Sequence, residues 1–204
     1  MKIALFGATG GTGRQVLAQA LEQGHELAAL VRDPAKLGPH RSDVTVIEGD
    51  VLDQSRVDAC IDGADAVICV LGSHKNRDPI EARGTVPILD AMQRLGVRRL
   101  IAVTSLGVGD SADQLAAPFR LFMKLTIGGI MKAKEEQERL IRASDLDWTI
   151  VRPGGLADGP KTGDYRAGTD KSIRAGRIRR ADVADFVLRQ LGDDRFLRQA
   201  PAVS

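Results

Sequence analysis

Three glycines near the start of the chain are spaced so as to bare a stretch of backbone. They lie in Gly7-Ala8-Thr9-Gly10-Gly11-Thr12-Gly13, a GxxGxxG pattern rather than GxGxxG. Side chains at Gly7, Gly10 and Gly13 would block a phosphate from reaching the backbone, and glycine also permits unusual backbone angles. Thr9 and Thr12 add hydroxyl donors. A helix that begins here offers unpaired N–H groups and a partial positive charge, which together hold a pyrophosphate. The segments on either side meet that requirement. Lys2-Ile3-Ala4-Leu5-Phe6 reads as a buried strand, and Val16, Leu17, Ala20 and Leu21 recur at helical spacing. Strand, glycine turn and helix open a dinucleotide-binding βαβ unit.

Other chemistry-bearing residues stand at the ends of apolar runs. Arg32 follows the run Glu26–Val31 and lies 19 residues beyond Gly13. An acid at that distance bonds ribose hydroxyls, whereas an arginine accommodates a 2′-phosphate. Arg32 therefore favours NADP over NAD, with Asp33 beside it as a complication. Asp50 follows the run Val44–Ile47. Its carboxylate and the Val51 amide could meet an adenine edge, or Asp50 could cap the helix expected from about Gln54. Thr104 and Ser105 end the run Arg99–Val103, which delivers them to the carboxyl edge where open α/β sheets bind ligands. Ser105 is the polar side chain best placed for chemistry, against the plainer reading of a serine that starts a loop. Pro153-Gly154-Gly155 ends the run Trp148–Arg152, and its small residues would let a nicotinamide approach the backbone. His74, in the polar loop 74–79, is too little for acid–base catalysis, and no His/Cys/carboxylate cluster has metal-site spacing.

The elements that position these groups follow from periodicity. The continuous apolar run Ala66–Leu71 reads as a central parallel strand ending at Gly72-Ser73. Glu81–Leu95 reads as a helix stopped by Gly96. Met131–Ala143 reads as a helix with Lys132/Glu136, Lys134/Glu138, Glu135/Arg139 and Glu138/Arg142 as four-apart pairs. The last main helix is expected over Asp182–Leu191. The stretch 110–129 is less regular. Phe119, Leu121, Phe122 and Met123 fit a packed helix, a mobile flap hinged at Gly128-Gly129, or an oligomer contact, and apolar stripes generally mean core. Lys171, Arg174, Arg177, Arg179 and Arg180 could attract an anion or form an ordinary charged surface.

Bulk properties narrow the classes. The chain has 204 residues, 43% hydrophobic and 27% charged, with a net charge of +2. Those values fit one globular domain over 1–204 and make no electrostatic case for nucleic acid or membrane partners. No apolar run approaches the length of a membrane span and no signal peptide is visible, so a cytoplasmic location is expected. Cys60 and Cys69 read as reduced thiols.

Taken together, Gly7–Gly13, Val31-Arg32-Asp33, Gly49-Asp50-Val51, Thr104-Ser105, Val151–Gly155 and Arg180–Ala184 resemble the atypical short-chain dehydrogenase/reductases. Their order and spacing are most similar to the biliverdin reductase B and flavin reductase group. The resemblance implies an α/β fold: a single Rossmann-like, doubly wound domain with a mostly parallel sheet. It also implies NADPH as hydride donor, no metal, and a small planar acceptor: a flavin such as FMN, a tetrapyrrole or a quinone. The particle would be a monomer or weak homodimer. Carried over by position, Gly7, Thr9, Gly10, Gly11, Thr12 and Gly13 would hold the pyrophosphate. Arg32 would meet the 2′-phosphate, Asp50 and Val51 the adenine, and Leu71 and Gly72 the ribose. Thr104, Ser105, Pro153 and Gly154 would lie near the nicotinamide. One departure matters. The wider superfamily uses Tyr-x-x-x-Lys; Lys134 fits the lysine, but Ile130 stands where the tyrosine would be, and the one tyrosine is Tyr165. Alcohol–ketone chemistry is therefore disfavoured relative to flavin reduction. A non-catalytic NADP(H) sensor that binds a partner is the alternative, and a sugar epimerase or dehydratase is a weaker one.

Overall fold

The computed structural model describes residues 1–73 and 78–204, with the side chains of 117 and 119–124 not among those described. His74, Lys75, Asn76 and Arg77 thus lie outside the described residues. Eight strands form one sheet. They are β1 (Lys2–Phe6), β2 (Glu26–Val31), β3 (Thr45–Glu48), β4 (Ala66–Cys69), β5 (Arg99–Val103), β6 (Asp147–Pro153), β8 (Ala167–Gly168) and β10 (Ala202–Val203). Two others, β7 (Gly155–Ala157) and β9 (Arg177–Arg179), pair with each other in parallel beside it. The order in the large sheet is β3-β2-β1-β4-β5-β6-β10-β8, and every pairing is parallel except that of β10 with β8. This is the α/β Rossmann-like architecture expected from the sequence.

Five helices cover the two faces: α1 (Gly11–Glu22), α2 (Gln54–Ile61), α3 (Glu81–Leu95), α4 (Ala117–Ala143) and α5 (Arg180–Arg189). The strands are apolar on both sides because both sides are buried. Ile3, Leu5, Val16, Leu17, Ala20, Val183 and Val187 belong to the core under α1 and α5. Ala4, Phe6, Val57, Ile88, Met92 and Ile141 belong to the core under α2, α3 and α4. Asp53, not Asp50, caps α2, accepting from the amides of Ser55 and Arg56. Gly96 ends α3 with φ of +72°, a left-handed cap that glycine adopts without a Cβ clash.

The irregular stretch resolves into a short 3-10 segment (Gly109–Gln114) followed by the first half of α4. That helix runs through the paired glycines and kinks at Ile127, where φ is −129° and ψ 25°. Cys60 and Cys69 are free and buried. Burial pushes the Cys60 thiol up to about 12 and the Cys69 thiol to about 11, so both are unreactive in the folded chain. Among the described residues, no helix is long and apolar enough to cross a membrane.

Candidate functional site

The strand order reverses between β1 and β4, and in open α/β sheets the crevice at that point binds ligands. Parallel pairing puts the carboxyl ends of five strands on one edge, with Phe6 level with Leu30 and Cys69, Cys69 level with Ala102, and Val103 level with Val151. That register brings the glycine turn, Arg32, Leu71-Gly72, Thr104-Ser105 and Pro153-Gly154 to a common rim, although they are as much as 147 residues apart in the chain (Gly7 to Gly154).

The glycine turn is built for close approach. Gly7 sits at φ +87°, and a Cβ there would overlap the Val70 carbonyl. A Cβ on Gly13 would overlap the Gly7 carbonyl oxygen, so Gly13 lets α1 start directly against β1. The Gly10 amide donates to the Gly7 carbonyl at 3.1 Å and tightens the turn. Gly10 occupies the N-cap position with no side-chain cap, and the first turn carries no acid. The amides of Gly11, Thr12 and Gly13 consequently have no acceptor among the described residues. Bare, unpaired and dipole-aligned, these groups fit a diphosphate.

Arg32 is exposed and makes no ion pair or hydrogen bond among the described residues. Asp33 is otherwise engaged: its carboxylate accepts the Ala35 amide at 3.1 Å, capping a 3-10 segment, and pairs with Lys36 at 3.6 Å. The complication raised by Asp33 is thereby reduced, since the guanidinium is the group left available at the end of β2. Arg14, which sequence reasoning did not single out, lies close by. Its guanidinium donates to the carbonyls of Thr9 and Lys36 at 3.1 and 3.3 Å, tying the glycine turn to the segment after Arg32.

Asp50 closes a turn by accepting the Leu52 amide at 2.9 Å. Val51 is buried and shares a wall with Leu71: a Cβ on Gly84 of α3 would come within 2.8 Å of the Val51 side chain and 2.9 Å of the Leu71 side chain. Gly84 thus lets α3 pack closely against Val51 and Leu71 just beyond the end of β4. Beyond Gly72, Ser73 donates its amide (3.0 Å) and hydroxyl (2.7 Å) to the fully buried carboxylate of Glu81. That bridge holds the loop after β4 against the start of α3, and its two partners are eight residues apart.

Lys134 is partly buried on α4 and forms no hydrogen bond or ion pair within 4 Å among the described residues. Burial lowers its ammonium pKa against the opposing pull of Glu81, Cys69 and Glu138. Ile130, one turn earlier, is buried. Tyr165 does not replace the absent tyrosine. It packs edge-on against Phe186 in the α1/α5 core and donates its hydroxyl to Asp185 at 2.7 Å, on the face of the sheet opposite Lys134. Burial and the Asp185 carboxylate raise its pKa.

At the end of β5, the Thr104 hydroxyl donates to Glu138 Oε1 at 2.7 Å. Glu138 also takes the Arg152 guanidinium, whose Nε donates at 3.0 Å, and both side chains are only 5% exposed. Arg152 in turn holds Asp110 at 2.6 Å. Of the four-apart pairs read from the sequence, Glu138/Arg142 forms at 3.7 Å, and Glu138 is buried at the centre of a charge network. Ser105 is partly buried and donates to the Leu106 carbonyl at 3.1 Å, a local contact. Pro153 accepts the Leu106 amide at 2.9 Å. Gly154 also packs closely against the chain: a Cβ there would sit 2.6 Å from the carbonyl of Gly176, just before β9. Among the described residues, no group of three or more His, Cys, Asp or Glu could hold a metal.

A family model described as NAD(P)H-binding matches residues 7–194. An uncharacterized chloroplastic protein of Arabidopsis thaliana is 32% identical over 201 residues, covering 93% of this chain and 71% of that protein. The solved structure of ChuY, an anaerobilin reductase of Escherichia coli O157:H7, is 29% identical with a TM-score of 0.85, covering all of this chain and 96% of that one. A short-chain dehydrogenase/reductase of Veillonella parvula in complex with NADP has a TM-score of 0.86 at 20% identity, over all of this chain and 94% of that one, a likeness of fold. The chain belongs to the NAD(P)H-binding family and has the fold of its oxidoreductases.

Proposed function

We propose that this family member is an NADPH-dependent reductase that passes hydride to a planar conjugated acceptor of the linear tetrapyrrole or flavin class. The observation that carries the reading is the pairing of a bare, donor-only glycine turn with an unpartnered arginine at the end of β2. The first suits the diphosphate common to both nicotinamide cofactors, and the second suits the phosphate that only NADPH has. The likeness to ChuY, which is described as an anaerobilin reductase, favours the tetrapyrrole arm.

When bound, the dinucleotide supplies a hydride; the chain supplies position and electrostatics. Gly7, Thr9, Gly10, Gly11, Thr12 and Gly13 would hold the diphosphate, with Arg32 on the 2′-phosphate. Asp50 and Val51 would border the adenine, Leu71 and Gly72 a ribose. Lys134, short of acceptors and depressed by burial, gains hydrogen-bond partners from ribose hydroxyls. Thr104, Ser105, Pro153 and Gly154 frame the nicotinamide end. Ser105 would orient the acceptor or pass on a proton taken from water. Neither Ile130 nor Tyr165 supplies the proton that carbonyl reduction takes from tyrosine. An acceptor whose reduced form is protonated from solvent is compatible with that set.

The missing tyrosine also favours a second reading, a redox sensor that binds NADP(H) without turnover. The deciding experiment follows NADPH oxidation at 340 nm with biliverdin, FMN and a simple quinone offered separately, and NADH in parallel. Turnover of one acceptor with an NADPH preference supports the reductase. Tight NADPH binding without turnover of any acceptor transfers the case to the sensor.

A further inference from the structure

Gly11 has a spatial role that the phosphate-binding turn does not explain. It is the first residue of α1. A Cβ at this position would come within 2.7 Å of Arg180 Nε and 2.8 Å of Arg180 Cδ. The side chain of Arg180, the first residue of α5, therefore lies across the N-terminus of α1. The two helices are fixed relative to one another by the buried Gln19 side chain, which donates to the Ala181 carbonyl at 2.9 Å.

The guanidinium has one acceptor among the described residues, the Asp158 carboxylate at 2.7 Å from Nη1. Asp158 is 91% exposed on its side chain, against 28% for Arg180. Nε and Nη2 have no acceptor among the described residues, and Nε lies against Gly11, whose amide is itself unpaired among them. A cation and unpaired donors thus share one place, and among the described residues the carboxylate paired with that cation is the surface side chain of Asp158.

We propose that Arg180 is a cofactor-binding residue that grips the diphosphate from above, and that Asp158 is a stand-in anion which the diphosphate displaces. The inference rests on the cofactor reading of the glycine turn. The exchange needs little movement. Thr162 and Gly163 stay fixed through their amides on the buried Asp182 carboxylate, at 2.7 and 2.9 Å, and Arg179 holds the Pro160 carbonyl at 2.9 Å. Only Asp158 has to let go. Its competition sets the affinity for any dinucleotide, whereas Arg32 sets the choice between the two.

The test is fluorescence titration of the full chain with NADPH, NADH and adenosine 2′-monophosphate, each variant first checked by its thermal midpoint. Arg180→Gln is expected to weaken NADPH and NADH alike, by tenfold or more, and to leave adenosine 2′-monophosphate within twofold. Arg180→Lys should recover part of the loss. Asp158→Asn is expected to tighten both dinucleotides several-fold, opposite in sign to Arg180→Gln. A purely structural ion pair would instead make both variants lower the midpoint with no opposed shifts in affinity, and that result overturns the proposal. So does Arg180→Gln binding both dinucleotides like the wild type. If the wild type itself fails to bind NADPH, the cofactor reading falls, and this inference falls with it.

Discussion

The Glu138–Arg152 pair allows the sharpest test of how the rim is held. Both side chains are 5% exposed, and Glu138 also accepts the Thr104 hydroxyl. Replacing Glu138 by Ala leaves the Arg152 charge buried with Asp110 alone, at 2.6 Å, and Asp110 is 69% exposed. Removing one partner of a buried pair costs about 3–5 kcal/mol; the surviving Asp110 contact argues for about 3. Orphaning the Thr104 hydroxyl adds about 1 kcal/mol. The sum, about 4 kcal/mol, is a large share of the roughly 5–15 kcal/mol that stabilises a folded chain. At roughly 2–4 °C per kcal/mol for a chain of this size, the midpoint should fall by roughly 8–16 °C. Glu138→Gln keeps the shape and an acceptor for Thr104 and should lose about half as much. The double variant Glu138→Leu with Arg152→Met removes both charges and should lie within about 1–2 kcal/mol of wild type, since apolar replacements of buried pairs are often neutral. Urea unfolding followed by the fluorescence of Trp148, the single tryptophan and 5% exposed, reads all three. A double variant as unstable as the sum of two severe single losses would refute the argument, because the pair would then stabilise by its charges rather than merely satisfy them.

Three further outcomes are expected. Arg32→Ala should raise the Kd for NADPH tenfold or more while leaving NADH nearly unchanged; equal loss for both would reject a 2′-phosphate role. Ser105→Ala should lower kcat for the acceptor with NADPH affinity intact, and unaltered turnover would remove Ser105 from the chemistry. For pH, Asp182 carries the clearest signature. Burial alone would raise its carboxyl, but the amides of Gly163 and Thr162 and the Thr162 hydroxyl outweigh burial and hold it below the usual carboxylate value. Its contribution is therefore complete above about pH 4 and is lost as pH falls through the lowered value. Urea midpoints measured from pH 6 downward should drop less steeply for Asp182→Asn than for wild type; parallel curves would contradict the assignment.

Much of this architecture was legible because it rests on strong local signals. The runs ending at Phe6, Val31 and Val103 are apolar on both faces, as interior parallel strands are, and Gly96 marks the end of α3 at the expected residue. Elements of two or three residues were not legible: β8 is Ala167–Gly168 and β10 is Ala202–Val203, too short for any period. The first half of α4 was one of the readings left open for 110–129, because Gly128-Gly129 also suits a hinge; the helix runs through them with a kink at Ile127. In the site, residues that follow strands were found because strand ends are visible. The contacts of Arg14, Glu81 and Glu138 were not, and Arg180 was seen only as part of a basic cluster, because each of these contacts depends on the assembled sheet. Ser73 meets Glu81 eight residues away, Thr104 meets Glu138 at 34, and Gly11 meets Arg180 at 169.

Under the proposed function, charge placement would make one end of the site selective and the other permissive. At the end of β2, Asp33 is engaged in capping and with Lys36 while Arg32 has no partner among the described residues, so under the proposed function Arg32 is the group left for a phosphate. At the end of β5, Glu138 and Asp110 are shared between Arg152 and Arg142, leaving Thr104 tied and Ser105 as the hydroxyl with only a local bond. Apart from Lys134, the charges here are taken up by one another and make few directional demands on what lies above them. An acceptor held there would be chosen by its flat shape and by its fit to the hydride geometry more than by a fixed pattern of hydrogen bonds. Under that reasoning, substitutions at Arg32 alter which cofactor is used, and substitutions around Ser105 alter how fast several planar acceptors are reduced, with little change in their order.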